Sequence, residues 1–321
     1  MKLLIVTQVV DTNDSVLGFF ARWIEEFAKH TERIEVICLK EGVHNLPTNV
    51  QVHSLDKEKG VSRVAYIFNF YRYIWRLRRD YDAVFVHMNP EYIILGGPLW
   101  RLWGKRIALW YTHKSVNIKL RLATLLTHTI FTASKESFRL YTKKLHVMGH
   151  GIDTDFFSPD VSVMRGNHVL SVGRLMPSKR HDLVIRAAAL ADKELRVIGE
   201  GMERKDLELL ANSLHAPVHF LGGVTQSELR DEYRKASFFV HTSETGSLDK
   251  VVLEALATGV PVITTSDAFR EFPVHIVQVT PEAIARALRH TPESYDRVKI
   301  IREHHSLQRL IPVMLQVLQT L

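Results

Sequence analysis

The residues best placed to do chemistry in this 321-residue chain gather in two stretches of its second half. In the first, an apolar, β-branched run from His168 to Val172 stops at Gly173-Arg174. A short loop then carries Pro177, Lys179 and Arg180, and Asp182 opens a helix with Leu183, Val184, Ala187, Ala188 and Leu190 at helical spacing. A strand, a basic loop and a helix start aim backbone N–H groups and the positive end of the helix dipole at one spot, where Arg174 and Lys179 add two full charges. A diphosphate suits such a junction; the competing reading is a pair of solvated loop cations. In the second stretch, residues 243–265 (SETGSLDKVVLEALATGVPVITT), a small polar loop of Thr245, Gly246 and Ser247 runs into a helix that contains Glu254. Gly259 ends that helix, and VPVITT begins the next strand.

VGRL with Lys179 after it, then GEG, then a glycine-bearing loop ahead of LEALATGVPVI, form a combination that resembles the carboxy-terminal domain of the retaining GT-B glycosyltransferases. These are the glycosyl transferases group 1, which include sucrose synthases and the mannosyltransferases of lipid glycan assembly. The resemblance extends over the whole chain and is strongest in its second half. It implies an α/β fold of two Rossmann-like, doubly wound parallel-sheet domains facing each other across a cleft. Residues 1–155 would form the acceptor-side domain and 156–305 the nucleotide-sugar domain, with a terminal helix at 306–321 packing back on the first. It also implies a hexosyltransferase that moves a sugar from a nucleotide-sugar donor to a glycan or lipid-linked acceptor. Anomeric configuration would be retained, the leaving phosphate taking the acceptor's proton.

The implied site follows residue by residue. Arg174 and Lys179, with Gly173 in the same turn, meet the diphosphate. Gly18, at the end of the first loop, lets backbone approach the donor phosphates, and His113 in YTHK lies near the transferred sugar; the plain readings are a helix-start glycine and a structural or surface histidine. Gly199, Gly201 and Gly222 stand at strand ends where base and ribose approach; the plain reading of each is a turn glycine. Glu254, flanked by Leu253 and Ala255, grips the ribose hydroxyls as an acid does in dinucleotide-binding folds. The family pattern has a further glutamate, on the donor sugar, where this chain has Gly246. Asp249 with Lys250 at the helix entrance is the preferred replacement, a loop rearrangement that brings in Glu244 is the second, and loss of the contact the third.

Breaking the anomeric bond builds negative charge on the leaving phosphate, and stabilising that charge is the main task. No Asp-x-Asp pair lies in a suitable loop, so Arg174, Lys179 and helix amides near Ser247 are expected to carry the task without a metal. No cofactor is expected, the nucleotide sugar being a substrate. No Ser-His-Asp or Cys-His nucleophile arrangement is evident.

These residues need strand ends to hold them, and the chain supplies strands at regular intervals. KLLIVT, IEVICL, VQVHSL, AVFVH, RIALWYTH, TIFTAS and KLHVM alternate with helical stretches in the first half. LRVIGEG, VHFLGG, SFFVHTS, VPVITT and HIVQV do so in the second, with helices at 182–191, 203–213, 226–236, 248–258, 281–290 and 295–320. In such sheets ligands bind beyond the carboxyl ends of the strands. Asn89-Pro90-Glu91, Thr112-His113-Lys114 and Ser134-Lys135-Glu136 stand at three of those ends. The first helix, FFARWIEEFAKH, sets Phe20, Trp23, Ile24 and Phe27 on one side. GHGIDTDFFSPD at 149–160 has the composition of a boundary, with Pro159 beginning the linker.

Apolar content of 46% and charged content of 24% are those of a globular protein with two cores. A single cysteine, Cys38, excludes an intrachain disulfide and fits a reducing cytosol. The amino terminus is too soon interrupted by acids for a signal peptide, and no run approaches the length of a membrane span. The net charge of +7 calls for an anionic partner. Residues 63–79, RVAYIFNFYRYIWRLRR, hold five arginines and no acid, with Val64, Ile67, Phe68, Tyr71 and Trp75 on one stripe and Arg72, Arg76 and Arg79 on another face. One reading is a helix on anionic lipid at the inner face of the cell membrane, joined by Trp100 and Trp103. The other is a helix packed on the sheet with a solvated basic face. A non-catalytic nucleotide-sugar-binding module is the rival function. Nucleic acid is not an expected partner, for no aromatic-basic β-platform or recognition helix is present.

Overall fold

The apolar run after Met1 becomes strand β1 (Lys2–Val10), with Leu3, Leu4, Ile5 and Val6 fully buried because helices cover both faces of the sheet it joins. The computed structural model describes residues 1–290 and 296–320; residue 295 and Leu321, both expected in the terminal helical region, lie outside the described residues. The chain divides into two units: Met1–Gly151 with Ser306–Leu321, and Ile152–His305.

In unit one, β1 is followed by α1 (Phe19–Lys29), β2 (Arg33–Glu41), β3 (Val50–Ser54), α2 (Arg63–Arg76), β4 (Ala83–His87), α3 (Pro90–Leu102), β5 (Arg106–Trp110), α4 (Ile118–Leu126), β6 (Thr129–Thr132) and β7 (Leu145–Val147). The strands form one sheet, every pair parallel, in the order β3-β2-β1-β4-β5-β6-β7. Phe20, Trp23, Ile24 and Phe27 of α1 are buried on one sheet face, as their spacing predicts. The other face is covered by α2, α3 and α4 through Phe70, Ile74, Ile93, Trp100 and Leu120.

Helix α2 thus packs on the sheet with its basic face solvated, but not through the apolar stripe. Phe70 and Ile74 are the buried residues of α2, whereas Val64, Ile67, Phe68, Tyr71 and Trp75 are exposed. Phe70 and Ile74 fit between Tyr92, Trp100 and Tyr81 in the core beneath, which fixes the rotation of the helix. Trp100 leaves the basic surface for the same reason: it is fully buried and donates its indole N–H to Tyr81 Oη at 3.0 Å.

Unit two comprises β8 (Val169–Val172), α5 (His181–Ala191), β9 (Leu195–Ile198), α6 (Arg204–Ser213), β10 (Val218–Gly222), α7 (Gln226–Lys235), β11 (Phe238–His241), α8 (Lys250–Ala257), β12 (Val262–Thr264), β13 (His275–Ile276), α9 (Pro281–Leu288) and α10 (Arg297–His305). Its sheet is again wholly parallel, in the order β10-β9-β8-β11-β12-β13. Residues 152–160, boundary-like in composition, lie inside this unit.

The chain then returns to unit one through α11 (Leu307–Thr320), which adds Leu307, Leu310, Ile311, Met314, Leu315 and Leu318 to the core around α1. The residue pattern runs one helix over 295–320 and the resemblance sets a terminal helix at 306–321; there the described residues form two helices, α10 and α11. The break falls at Ser306, where His305 gives its carbonyl to the Ile152 N–H (2.7 Å) and Ser306 O accepts the first amide bond of α11, from Leu310.

Candidate functional site

In a doubly wound sheet the crevice opens where the strand order reverses, beyond the strands' carboxyl ends. In unit two that point lies between β8 and β11, and it is flanked by the loop 173–180 and the loop 242–249. Backbone and hydroxyl groups stitch these loops together. The Glu244 N–H donates to Ser178 O (2.9 Å), and the buried Thr242 hydroxyl lies within bonding distance of the carbonyls of Lys179 (2.8 Å) and Arg180 (3.0 Å). Arg180 has left-handed backbone (φ 51°) and closes the join with ion pairs to Asp182 (3.0 Å) and Glu244 (2.5 Å).

Lys179 is the cation held at the centre. Its Nζ donates to Asp249 Oδ2 (2.5 Å) and to Ser243 Oγ (3.2 Å). The same carboxylate oxygen accepts from His241 Nε2 (3.0 Å), and Asp249 Oδ1 accepts from Ser247 Oγ (3.2 Å). A carboxylate acceptor places the His241 proton on Nε2. Nδ1 then faces Thr264 Oγ1 at 3.0 Å, and that oxygen itself accepts from the Ser266 N–H at 3.1 Å, leaving the threonine hydroxyl to donate to the ring. Donation thus runs from the Ser266 N–H through Thr264 and His241 to Asp249, and Lys179 donates to the same carboxylate from the other side. Burial by itself would raise the Asp249 carboxyl, but the His241 hydrogen bond and the Lys179 charge outweigh it and hold the group well below the usual carboxylate range.

Asp249 is also the N-cap of α8, yet its side chain makes no capping bond, being turned to Lys179 and His241. The first helical residue is Lys250, so the helix starts later than the residue pattern suggests, and Ser247 belongs to the loop. Lys250 Nζ lies 3.3 Å from Glu254 Oε1, whose side chain is almost wholly buried. The two charges expected to act on donor and ribose therefore meet each other across one helical turn. Gly246 has left-handed backbone at the exposed tip of the loop (φ 59°), and Glu244 is engaged by Arg180 rather than by Lys179. Of the two candidate acids, Asp249 is the one that touches Lys179. Arg174 is exposed in the β8 loop, beside Gly173.

The floor of this loop is set by two glycines after β9. A Cβ at Gly199, whose φ is +135°, would lie 2.0 Å from the Gly173 carbonyl oxygen, and one at Gly201 would lie 2.1 Å from that of Leu175. The loop after β9 is thus pressed against the Gly173–Leu175 backbone, with Gly173 N–H bonded to Ile198 O and Leu175 N–H to Glu200 O. Gly199→Ala is expected to destabilise unit two by about 2–4 kcal/mol through clash and strained backbone, seen as a lower urea midpoint at unchanged slope. Gly222, with φ +73°, borders the flexible end of Glu200 instead.

Two predicted residues lie in unit one. His113, exposed in the loop after β5, accepts the Ser115 N–H at Nδ1 (3.1 Å), and Ser115 Oγ is 2.7 Å from the same atom. In the neutral ring this leaves the proton on Nε2. Gly18 is the N-cap of α1, and the space a Cβ would take is filled by the carbonyls of Asp14 (2.5 Å) and Thr12 (2.9 Å), so its loop folds on itself at that point.

Residues 166–291 match the family described as Glycosyl transferases group 1. The matched residues all lie in unit two. Mannosylfructose-phosphate synthase of Agrobacterium fabrum is 30% identical over 155 residues, which are 40% of this chain and 34% of that protein. The GDP-mannose-dependent alpha-mannosyltransferase of Mycobacterium tuberculosis is 33% identical over 129 residues, 37% and 33% of the two lengths. The chain thus spans about a third of the length of the curated relatives it matches. Among solved structures, Anabaena HepE in complex with UDP aligns over 100% of both chains with a TM-score of 0.77 at 16% identity. The glycosyltransferase WaaG, involved in lipopolysaccharide biosynthesis, aligns over 99% of each with a TM-score of 0.68 at 13%. These likenesses give the fold of the chain as GT-B.

Three residues of unit two were not visible in the pattern: His241, Thr264 and Ser243 join the site only because strand ends bring them together. His181 is a fourth. It opens α5, is almost fully buried, and lies 3.1 Å from Ser171 Oγ through Nδ1. Burial pushes its pKa down to about 4. The unfolded ring takes a proton near pH 6.5 while the folded one stays neutral, so stability is fully present above about 6.5 and falls as pH drops towards 4, by on the order of 3 kcal/mol. Urea unfolding of wild type and His181→Asn at pH 7 and 5 checks this; equal losses in both would refute it. Among the described residues, no group of three or more His, Cys, Asp or Glu side chains is arranged to hold a metal ion.

Proposed function

We propose that this protein is a retaining glycosyltransferase that moves a sugar from a nucleotide-sugar donor to a glycan or lipid-linked acceptor without a metal ion. The observation that carries the reading is Lys179, a cation held at the switch point of a glycosyl transferase group 1 unit by Asp249 and Ser243. With Arg174 it supplies the positive charge that a departing diphosphate requires. Asp249 takes the place of the glutamate missing at Gly246, and Glu254 with Lys250 receives the ribose. Gly173, Gly199, Gly201 and Gly222 shape the donor loops, with Ser247 and the first turn of α8 beside the phosphates. His113 hydrogen-bonds the transferred sugar through Nε2, and Gly18 borders the donor. The leaving phosphate takes the acceptor's proton. A reducing cytosol suits the single buried cysteine.

Solved structures of Anabaena HepE contain UDP, and one curated relative is named for its dependence on GDP-mannose, so uridine and guanosine diphosphates are the first ligands to test. A thermal-shift series with nucleoside diphosphates and then their sugars should show stabilisation by one base, followed by donor hydrolysis or transfer. Stabilisation by none overturns the reading. Binding without any turnover makes the protein a nucleotide-sugar-binding module.

A further inference from the structure

The exposed face of α2 is unlike an ordinary solvated helix. Val64, Phe68, Tyr71 and Trp75 recur at intervals of four and three, so they form one stripe; Val64 is 77% exposed, Phe68 67% and Trp75 56%. Single exposed apolar residues are common, but a contiguous stripe of aromatic and aliphatic groups marks an interaction surface. Arg63, Arg72, Arg76 and Arg79 are exposed beside it, and residues 63–79 hold no acid.

The surface continues on the same side of the sheet. On α4, Ile118 and Leu125 are more than two-thirds exposed and Leu122 nearly half, at the same spacing, with Lys119 and Arg121 between them. The buried sides of α2, α3 and α4 share one core, and α3 presents Arg101 and Leu102 outward between the other two. Glu91, the only acid on these three helices, is paired with Lys119 at 2.9 Å.

We propose that this face docks unit one on an anionic phospholipid bilayer. Tyr71 and Trp75 would enter the headgroup level, where rings with an apolar body and a polar edge are favoured, with Phe68 reaching the acyl boundary beside them, while the arginines meet lipid phosphates. Charge selects this occupant over a second copy of the chain, which would set five arginines of residues 63–79 against themselves. The docking goes beyond the glycosyl-transfer reading and does not depend on it, since no site residue lies on α2 or α4.

The test is flotation of the whole chain with phosphatidylcholine vesicles, with and without phosphatidylglycerol, alongside its sedimentation behaviour without lipid. Binding to the anionic vesicles only is expected, with release as salt rises from about 0.1 M to about 0.5 M. The triple change Arg72→Gln, Arg76→Gln and Arg79→Gln should weaken partitioning about a hundredfold, at about fivefold per arginine. Phe68→Ser with Trp75→Ser should weaken it about tenfold or more and abolish the blue shift of tryptophan emission on vesicle addition. All five side chains are exposed, and unchanged circular dichroism and melting would verify that the variants fold. Absence of binding to anionic vesicles, or binding that neither variant weakens, overturns the proposal. So does lipid-independent self-association that Phe68→Ser with Trp75→Ser abolishes, which would make the stripe an interface between copies.

Discussion

Lys179→Ala is expected to lower transfer about a hundred- to a thousandfold, the largest loss from any single substitution in the site. The ammonium group sits between Asp249 Oδ2 and Ser243 Oγ, and the loop bearing it is tied by Thr242 and Glu244 to the loop after β11. It is therefore placed before any substrate arrives, and its effect on charge growing on a diphosphate carries little reorganisation cost. Removing it also leaves the Asp249 carboxylate, mostly buried, with His241 as its remaining strong partner. About 2 kcal/mol of stability should go with it, less than a fully buried pair would lose because both side chains keep some solvent contact. Lys179→Arg should not restore activity, since a planar fork does not reproduce a point charge shared by a carboxylate and a hydroxyl. Steady-state transfer with the donor found by the nucleotide screen, together with urea unfolding, separates the two effects. Full turnover in Lys179→Ala would remove the lysine from the mechanism.

Asp249→Asn should act in a different and more telling way. In the resting site Asp249 and an incoming diphosphate compete for the same ammonium group. Neutralising the carboxylate frees Lys179, so affinity for the bare nucleoside diphosphate should rise about five- to tenfold while transfer falls about a hundredfold. Tighter product binding with slower turnover is a signature that a merely structural aspartate would not give. His241→Ala should shift both quantities in the same directions by smaller factors, because it removes the group that holds the carboxylate in place and leaves the charge. Calorimetric titration of the diphosphate beside the transfer assay reads both. An unchanged transfer rate in Asp249→Asn would count against its role.

Strands and helices were legible because continuous apolar runs as short and β-branched as KLLIVT and AVFVH are those expected of strands buried on both sides, and the amphipathic repeat of α1 shows its inward face directly. The rotation of α2 was not legible. Its sequence carries two apolar stripes, Phe70 with Ile74 and Val64 to Trp75, and only the shape of the core beneath decides which one is buried. The break at Ser306 was given only by the resemblance, which set a terminal helix at 306–321, and not by the residues themselves: no glycine or proline marks it, and the bond that opens it comes from Ile152, far away in sequence. Within the site, Lys179, Asp249 and Glu254 stood out as charges at strand ends or inside an apolar helix. Their mutual pairing did not, because an ion pair joining residues 70 positions apart, with the histidine at the end of β11 behind it, is a property of the fold alone.

Unit one is assembled from two separated segments of chain, and this bears on the order in which the molecule matures on the ribosome. Six side chains of α11 finish the core around α1, and all of them are synthesised after the last residue of unit two. The uninterrupted segment 152–305 can close as soon as it emerges, whereas the portion made first must wait, incompletely packed, until the final helix arrives. During that interval the nascent amino-terminal half exposes apolar surface that α11 later covers, and a chaperone or an early membrane contact would have its opportunity then.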